Sequence, residues 1–345
     1  MKGKIGLEVH GYIKTKEKLF CRCAAHRERG TKPNTFICPL CCGMPGAKPM
    51  LVNEEAVKKA IMIGLMLKCK INENWKWQRK HYDWPDMPKG YQNTISGSYA
   101  VPVGVEGNFF GIKIRSIHLE EDPASWEPLT GRVDYNRSGL PLVEIITEPD
   151  FSIAEEVMNW LRRLIHHLSY LKSVDSNAGI KVDVNVSVSG GERVEIKNIS
   201  SIEDIGRAIE FELERQLREG GKRETRRFDS ERGSTEVMRE KEEAEDYRFI
   251  TDPDLQDVVI DGKFVREMKE KMPESPEDKL ERFVKKHNLG KKDAEVLAQN
   301  IDVAEFFEEV VDSGIDAKFA LPWVTVELLR HLNYNKTNLD NIEIK

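Results

Sequence analysis

The stretch IKVDVNVSVSG, residues 180–190, decides how this chain is read. Valines at 182, 184, 186 and 188 alternate with Lys181, Asp183, Asn185 and Ser187, the period-two pattern of a strand that is apolar on one face and polar on the other. RVEIKNIS (193–200) follows as a second strand and carries Lys197 and Asn198. Next comes a long amphipathic helix, IEDIGRAIEFELERQLREG (202–220), stopped by Gly220 and Gly221. Strands with one polar face and an amphipathic helix beside them predict a sheet covered on one side, in a mixed α/β body.

Outward from this stretch the same grammar recurs. KIGLEVHGYIKT (4–15), YAVPVGVE (99–106), FFGIKIRSIHLE (109–120), RVDYNRSG (132–139) and LVEIITEPD (142–150) read as strands between Gly and Pro turns. NEEAVKKAIMIGLMLKC (53–69) reads as a helix with Asn53 as its N-cap, and Ser152 is the expected cap of the helix over 153–174. Past Pro273 and Pro276 the character changes to short helices over 277–289, 291–300, 303–314 and 325–333. The division is therefore set near residue 272, with the body before it and a small helical domain from 273 to 345.

At 345 residues the chain is long enough for two domains. Its 53 basic and 59 acidic residues give a formal charge of −6, so it lacks the overall positive field of a protein that coats nucleic acid, and RNA contact has to be local or shared with a partner. The longest apolar run, AIMIGLMLKC (60–69), is too short to span a membrane, and the N-terminus enters a strand directly. The expectation is a cytoplasmic protein with no membrane partner.

Six cysteines in a reducing compartment point to metal or packing rather than disulfides. Cys21 and Cys23 sit in KLFCRC, where strand geometry would aim both thiols one way, and Cys38 and Cys41 form the tight CPLC knuckle. Together they can close a tetrahedral zinc site; the alternative is buried free thiols, and Cys42 and Cys69 need no role beyond packing. Several acids stand at strand ends: Glu8 with His10 in GLEVHG, Glu120 and Glu121 in IHLEED, and Glu148 with Asp150 in TEPD. Acids and a histidine that converge could hold magnesium beside a phosphate; scattered, they would be surface charge. Lys181, Asp183, Asn185, Lys197 and Asn198 are residue types a nucleotide site uses. There is no G-x-x-x-x-G-K-[ST] loop and no G-x-S-x-G elbow, which removes the P-loop and serine-hydrolase routes. Lys80 and Lys89 flank a Pro-rich loop with Tyr82, Trp84 and Tyr91.

The order of motifs resembles one family, the B subunit of the tRNA-dependent amidotransferases, GatB, with its archaeal relative GatE. The matching run is GLEVH, KLFC, CPLCCGMPGAKP, RKHYDWPDMPKGYQ, IHLEEDPA, VDYNRSGLPLVEIITEPD, DVNVSV, EIKNISS, ETRRFD, MREKEEAEDYRF and DPDL, over about residues 5 to 255. The resemblance implies an α+β fold: a cradle with a mixed or antiparallel sheet, similar to glutamine synthetase, over 1–272, with a zinc-binding insertion at about 20–45, followed by a small all-α domain. No segment matching the family's tail domain follows.

It also implies a ligase that uses ATP and Mg2+ to phosphorylate the side-chain carboxylate of Asp-tRNA(Asn) or Glu-tRNA(Gln). Ammonia from an amidase (A) subunit, in a complex with a small C subunit, then displaces the phosphate. Carried over by motif, the Mg2+ positions fall on Glu8, His10, Glu120, Glu121 and Glu148, with Glu8, His10, Glu121 and Glu148 as the catalytic set. Glu121 is preferred to Glu120, because adjacent strand residues face opposite ways. Lys181, Asp183, Asn185, Lys197 and Asn198 resemble the nucleotide-facing region, Lys80 and Lys89 the ammonia route, and Cys21, Cys23, Cys38 and Cys41 the zinc site. The competing readings are a non-catalytic scaffold derived from GatB, a GatE-type subunit, and a small-molecule carboxylate–amine ligase.

Overall fold

A computed structural model describes residues 2–26, 30–175, 179–199, 201–240 and 247–339. The KEEAED run at 241–246 and the side chain of Asn198 lie outside the described part. In chain order the strands are β1 (Lys4–Tyr12), β2 (Lys70–Ile71), β3 (Asn74–Trp75), β4 (Gln78–His81), β5 (Tyr91–Thr94), β6 (Gly104–Phe109), β7 (Ile112–Glu121), β8 (Ser125–Glu127), β9 (Arg132–Asp134), β10 (Pro141–Thr147), β11 (Ile180–Ser187), β12 (Val194–Ile199), β13 (Glu224–Asp229), β14 (Ser234–Glu240), β15 (Ile250–Thr251) and β16 (Val258–Val259). The helices are α1 (Glu54–Met66), α2 (Ala154–Tyr170), α3 (Ile202–Glu219), α4 (Gly262–Glu270), α5 (Pro276–His287), α6 (Lys291–Ala298), α7 (Ile301–Asp312), α8 (Ala317–Pro322) and α9 (Leu329–Asn335), the last two joined through a π-helical turn at Trp323–Leu328.

The chain divides into two compact units, Met1–Arg162 with Ser173–Lys271, and Arg163–Lys172 with Met272–Lys345. The first is built on a 12-stranded sheet with the order β14-β13-β12-β11-β1-β10-β7-β5-β4-β15, with β6 on the outer half of β7 and β2 on β6. Among the described residues only β12 and β13 run parallel; the other pairs are antiparallel. The sheet is mixed, and the chain is α+β.

Alternation creates the two faces. On β1 the side chains of Ile5, Leu7 and Val9 are buried, whereas Glu8 and His10 are only partly so. On β11 Val182, Val184 and Val186 are buried in the same way. Each such side chain contributes about 1.5–3 kcal/mol when fully withdrawn from water. The first part of α2 anchors through Trp160, whose Nε1 donates to the Phe109 carbonyl at 2.9 Å and whose ring meets Phe151 edge-on at 5.5 Å. Helix α3 ties to the sheet through Gln216 Nε2, which donates to the Val186 carbonyl at 3.2 Å.

The helix starts follow capping chemistry. Asn53 Oδ1 accepts from the Ala56 N–H at 3.1 Å, and Ser201 Oγ from the Asp204 N–H at 3.0 Å. Helix α2 begins at Ala154, one residue later than expected, and Glu156 reaches back to accept from the Ser152 N–H at 2.8 Å. FFGIKIRSIHLE is not one strand but a tight hairpin, turning at Phe110 (φ 48°) and Gly111 (φ 84°) between paired Phe109 and Ile112. Two successive left-handed residues make the two-residue turn that matches sheet twist, and Phe in the first position hid it. RVDYNRSG supplies only the short β9, paired with β8.

The second unit has its own core, with Phe283, Leu297, Val303, Phe307 and Val324 at its centre and the Phe283 and Phe307 rings edge to face at 5.6 Å. Ser275, Asn300 and Asp316 cap α5, α7 and α8. Inside this unit His166 Nε2 lies 2.7 Å from the Ala298 carbonyl, which also accepts from the Tyr170 hydroxyl at 2.7 Å. No helix among the described residues is long and apolar enough to cross a membrane.

Candidate functional site

The polar face of the sheet carries a strip of facing charged and polar residues. Register sets Lys80 opposite Gln92, Thr94 opposite Glu120, and His118 opposite Glu144. Glu144 faces His10, Glu8 faces Asp183, Asn185 faces Glu195, and Glu195 faces Thr225. The strip thus crosses β4, β5, β7, β10, β1, β11, β12 and β13, which are successive neighbours in the sheet. Lys80 from one end and Lys197, Thr225 and Met238 from the other line a single cavity of about 350 Å³, together with Tyr82, Trp84 and Tyr247. For both ends to meet there the sheet has to curl, so the strip lies on a concave surface. The Lys80 ammonium sits 4.5 Å from the centre of the Tyr247 ring.

Three carboxylates converge within the strip. Glu8, Asp183 and Glu195 each bring one oxygen within 4.8 Å of the others, an arrangement able to hold a metal ion. Lys197 Nζ stands against two of them, 2.8 Å from Asp183 and 3.0 Å from Glu195, and Asn185 Nδ2 donates to Glu8 at 3.1 Å. Burial, then the charges of Glu144 and Glu195, push the Glu8 carboxyl above its ordinary pKa. Burial opposes the charge on Lys197, but Asp183 and Glu195 override it and raise its pKa. Three acids with a single ammonium between them are what a site for a divalent cation, or for the phosphates that accompany one, requires.

Glu144 lies at the centre of the strip. Its Oε2 is 2.5 Å from His118 Nδ1 and its Oε1 is 3.4 Å from His10 Nε2. Burial works against the charged form of Glu144, yet the two imidazoles hold its carboxyl well below the ordinary range. Burial likewise opposes the His10 imidazolium, and Glu144 outweighs it, lifting the His10 pKa to about 9. Next to this pair Glu120 is buried and accepts from Thr94 Oγ1 at 2.6 Å and Gln92 Nε2 at 3.2 Å. Burial and the charge of Glu144 raise its pKa.

The motif-derived assignments are thereby re-sorted. Glu8, Asp183, Asn185 and Lys197 meet in one cluster, and Glu120 and His10 lie on the same face. Glu121 does not: on the opposite face of β7, it accepts from Lys89 Nζ and from the Asn93 N–H at 2.9 Å. Parity along β7 places Glu120, with His118, on the strip and Glu121, the residue preferred from the motif, off it. Glu148 lies past the end of β10 with both oxygens on Arg115, each at 2.9 Å, and is not among the three converging acids. His10 is engaged by Glu144 rather than by the acid cluster. Lys181 is exposed, its Nζ 5.9 Å from the centre of the Tyr12 ring. Lys80 and Lys89 fall on opposite sides, with Gln92 between them, donating to both Glu120 and the Glu121 carbonyl.

Glu195, Glu144 and His118 lie within the matching motifs but were not among the expected site residues. Glu195 is nonetheless legible, since it shares a face with Lys197 two residues on. His118 can be found the same way from Glu120, and Glu144 as the lone acid in the apolar run PLVEIIT (141–147).

The four cysteines also converge. Cys21, Cys38 and Cys23 place their sulfurs 3.7, 3.7 and 3.8 Å from Cys41 Sγ. A tetrahedron with metal–sulfur bonds of about 2.3 Å has edges of about 3.8 Å, so the donor set fits a tetrahedral thiolate-bound metal. All six cysteines are free thiols. Cys21 and Cys23 lie on a bend rather than the expected strand, so the chain's turn, not strand parity, brings their thiols together. The hydrogen bond from Cys21 and the Lys18 charge depress the Cys41 pKa to about 4 against the effect of burial. Burial and the neighbouring Cys41 raise that of Cys23 to about 12.

Comparison with known proteins agrees with this architecture. The family profile described as the GatB/GatE catalytic domain matches residues 3–266. The B subunit of the aspartyl/glutamyl-tRNA(Asn/Gln) amidotransferase of Methanocaldococcus jannaschii is 46% identical over 360 aligned positions, which cover 100% of this chain and 75% of that protein. The proteins of the same name from Methanothermobacter thermautotrophicus and Methanopyrus kandleri are each 47% identical, over 96% of this chain and 74% and 72% of theirs. On the strength of the profile match and of this identity over its whole length, the chain belongs to the GatB/GatE catalytic domain family.

Proposed function

We propose that this chain is the carboxylate-activating subunit of a tRNA-dependent amidotransferase, a ligase acting on Asp-tRNA(Asn), Glu-tRNA(Gln) or both. The observation that carries the reading is the convergence of Glu8, Asp183 and Glu195 beside Lys197 on the concave face that lines the 350 Å³ cavity. In the first step a side-chain carboxylate oxygen of the aminoacyl group attacks the γ-phosphorus of ATP; the bond to the bridging oxygen breaks, leaving ADP and an acyl phosphate. In the second, ammonia attacks the acyl carbon, inorganic phosphate departs with the C–O electron pair, and a proton is lost to give the amide. Phosphoryl transfer depends mostly on positioning and charge neutralisation.

Glu8, Asp183 and Glu195 would hold Mg2+, which supplies neutralisation of the phosphate oxygens. Lys197 and Lys80, from the two sides of the cavity, bind phosphate or carboxylate oxygens. Glu144 keeps His10 charged, so the imidazolium presents a positive edge to the same space. Glu120 takes up the proton shed by ammonia, its raised pKa suiting that role. Lys89, Glu121 and Gln92 form the ammonia approach, entering from the far face and crossing at Gln92, and Cys21, Cys23, Cys38 and Cys41 hold structural zinc. An amidase A subunit supplies the ammonia in a complex with a C subunit, in the cytoplasm. A scaffold is the poorer reading, since buried acids and imidazoles sharing one face cost stability and are arranged that way for chemistry.

The test is ATP hydrolysis and amide formation on mischarged tRNA with the amidase partner present. Glu8→Gln should abolish both while the protein still folds. ATP turnover that is unchanged in Glu8→Gln, or that ignores tRNA, sinks the reading.

A further inference from the structure

Lys18 is 1% exposed, yet it carries an ammonium group. Its Nζ lies 3.4 Å from Cys41 Sγ and 3.2 Å from the Tyr135 carbonyl. An ammonium sealed from water beside a carbonyl and one cysteine sulfur is a costly arrangement. Four thiolates around a divalent ion carry a net double negative charge, which is equally costly to bury unless a cation accompanies it. Each charge answers the other.

We infer that Lys18 is the counter-charge of the four-cysteine metal centre and positions it by clamping Cys41 to the loop that leads into β10. This rests on the metal reading above and adds a residue to it. The backbone supports the clamp. The Lys18 N–H donates to the Cys23 carbonyl at 3.0 Å, so one residue touches both halves of the cysteine set. Next to the CPLC knuckle, the chain before Cys38 docks on the same loop: Asn34 Oδ1 accepts from the Tyr135 N–H at 2.7 Å, and Asn136 Oδ1 from the N–H groups of Thr35 and Phe36 at 2.8 Å. The Lys18 side chain therefore joins Cys41 to the segment that leads to Glu144. It is a positioning residue and touches no substrate.

The inference has a signature that plain packing lacks. Without metal the ammonium faces one cysteine sulfur; with metal it faces a four-thiolate centre that carries a net double negative charge. Lys18→Met keeps the length and removes the charge, and Lys18→Arg keeps the charge. The experiment uses the full chain under reducing conditions, stripped of metal by a chelator. It reads zinc affinity by competition with a chromophoric chelator, and thermal unfolding with and without zinc. Lys18→Met is expected to weaken zinc binding on the order of ten- to a hundredfold, as loss of a partner to a metal ligand does. Its unfolding midpoint should fall further below that of the unaltered chain with zinc than without, and Lys18→Arg should retain most of the affinity. Unchanged affinity in Lys18→Met overturns the inference. So does an equal loss of stability with and without zinc, or failure to fold in both forms, since either would show a purely structural lysine. If the unaltered chain itself binds no zinc, the metal reading falls and takes this one with it, an outcome told apart because it does not depend on Lys18.

Discussion

Glu120 and Glu121 are neighbours on β7 and serve opposite faces of the sheet, Glu120 held by Thr94 and Gln92 on the concave side and Glu121 by Lys89 and the Asn93 N–H on the other. Two variants that differ by one position should therefore fail differently. Glu120→Gln removes an acid from the concave face and, on the proposed function, should lower tRNA-dependent ATP turnover and amidation on the order of a hundredfold. Glu121→Gln should keep ATP turnover near that of the unaltered enzyme, lose amidation with glutamine as donor, and recover it with added ammonium salt. Matching losses with both nitrogen sources would remove the division of labour.

The acid cluster can be probed by binding alone. Asp183→Asn and Glu195→Gln each withdraw a charged oxygen, and calorimetry with Mn2+ should show affinity weakened at least about tenfold. Lys197→Met should move affinity the other way, because its ammonium stands 2.8 Å from Asp183 and competes with the ion for the same oxygens. It should nevertheless lower ATP turnover. Weaker Mn2+ binding in Lys197→Met would contradict the cluster as drawn.

Gly43 follows the CPLC knuckle with φ 63°, and a Cβ there would lie 2.0 Å from the Pro88 carbonyl oxygen and 2.4 Å from its carbon. Both are backbone atoms and cannot swing away. Gly43→Ala should cost about 1–3 kcal/mol and displace the Pro88–Lys89 segment. Glutamine-dependent amidation should fall more than ATP turnover, read in the same two-donor assay, with differential scanning calorimetry for the stability loss.

In the helical unit Glu308 accepts from Lys279 at 2.8 Å and from Arg282, which also holds Glu274. Burial opposes its charge, but the two cations bring its pKa below the ordinary 4.5. A carboxyl whose folded pKa is depressed contributes its full stabilisation above pH 4.5 and loses it as pH falls through the folded value. Glu308→Gln should cost about 1.5–3 kcal/mol at neutral pH and flatten the acid limb of urea-unfolding stability below pH 4.5. A variant whose acid limb parallels that of the unaltered chain would show the pair to be inert.

Much was determined by sequence alone. Period-two alternation in IKVDVNVSVSG and GLEVHGYIK separates polar from apolar faces, since adjacent side chains on a strand must diverge, and Asn53 and Ser201 begin α1 and α3 because their side chains satisfy free N–H groups. The cysteine set was legible for the same local reason: a C-P-L-C turn fixes where two thiols point. Which strands lie side by side is set by long-range pairing, and that only the tertiary structure decided. It set β1 between β10 and β11, so that Glu8 meets Asp183 while His10 meets Glu144, a residue 134 positions on that looked like part of an apolar strand. It also decided the parity of Glu120 against Glu121, because the register of β7 on β10, and not the motif, determines which of two adjacent acids looks into the cleft.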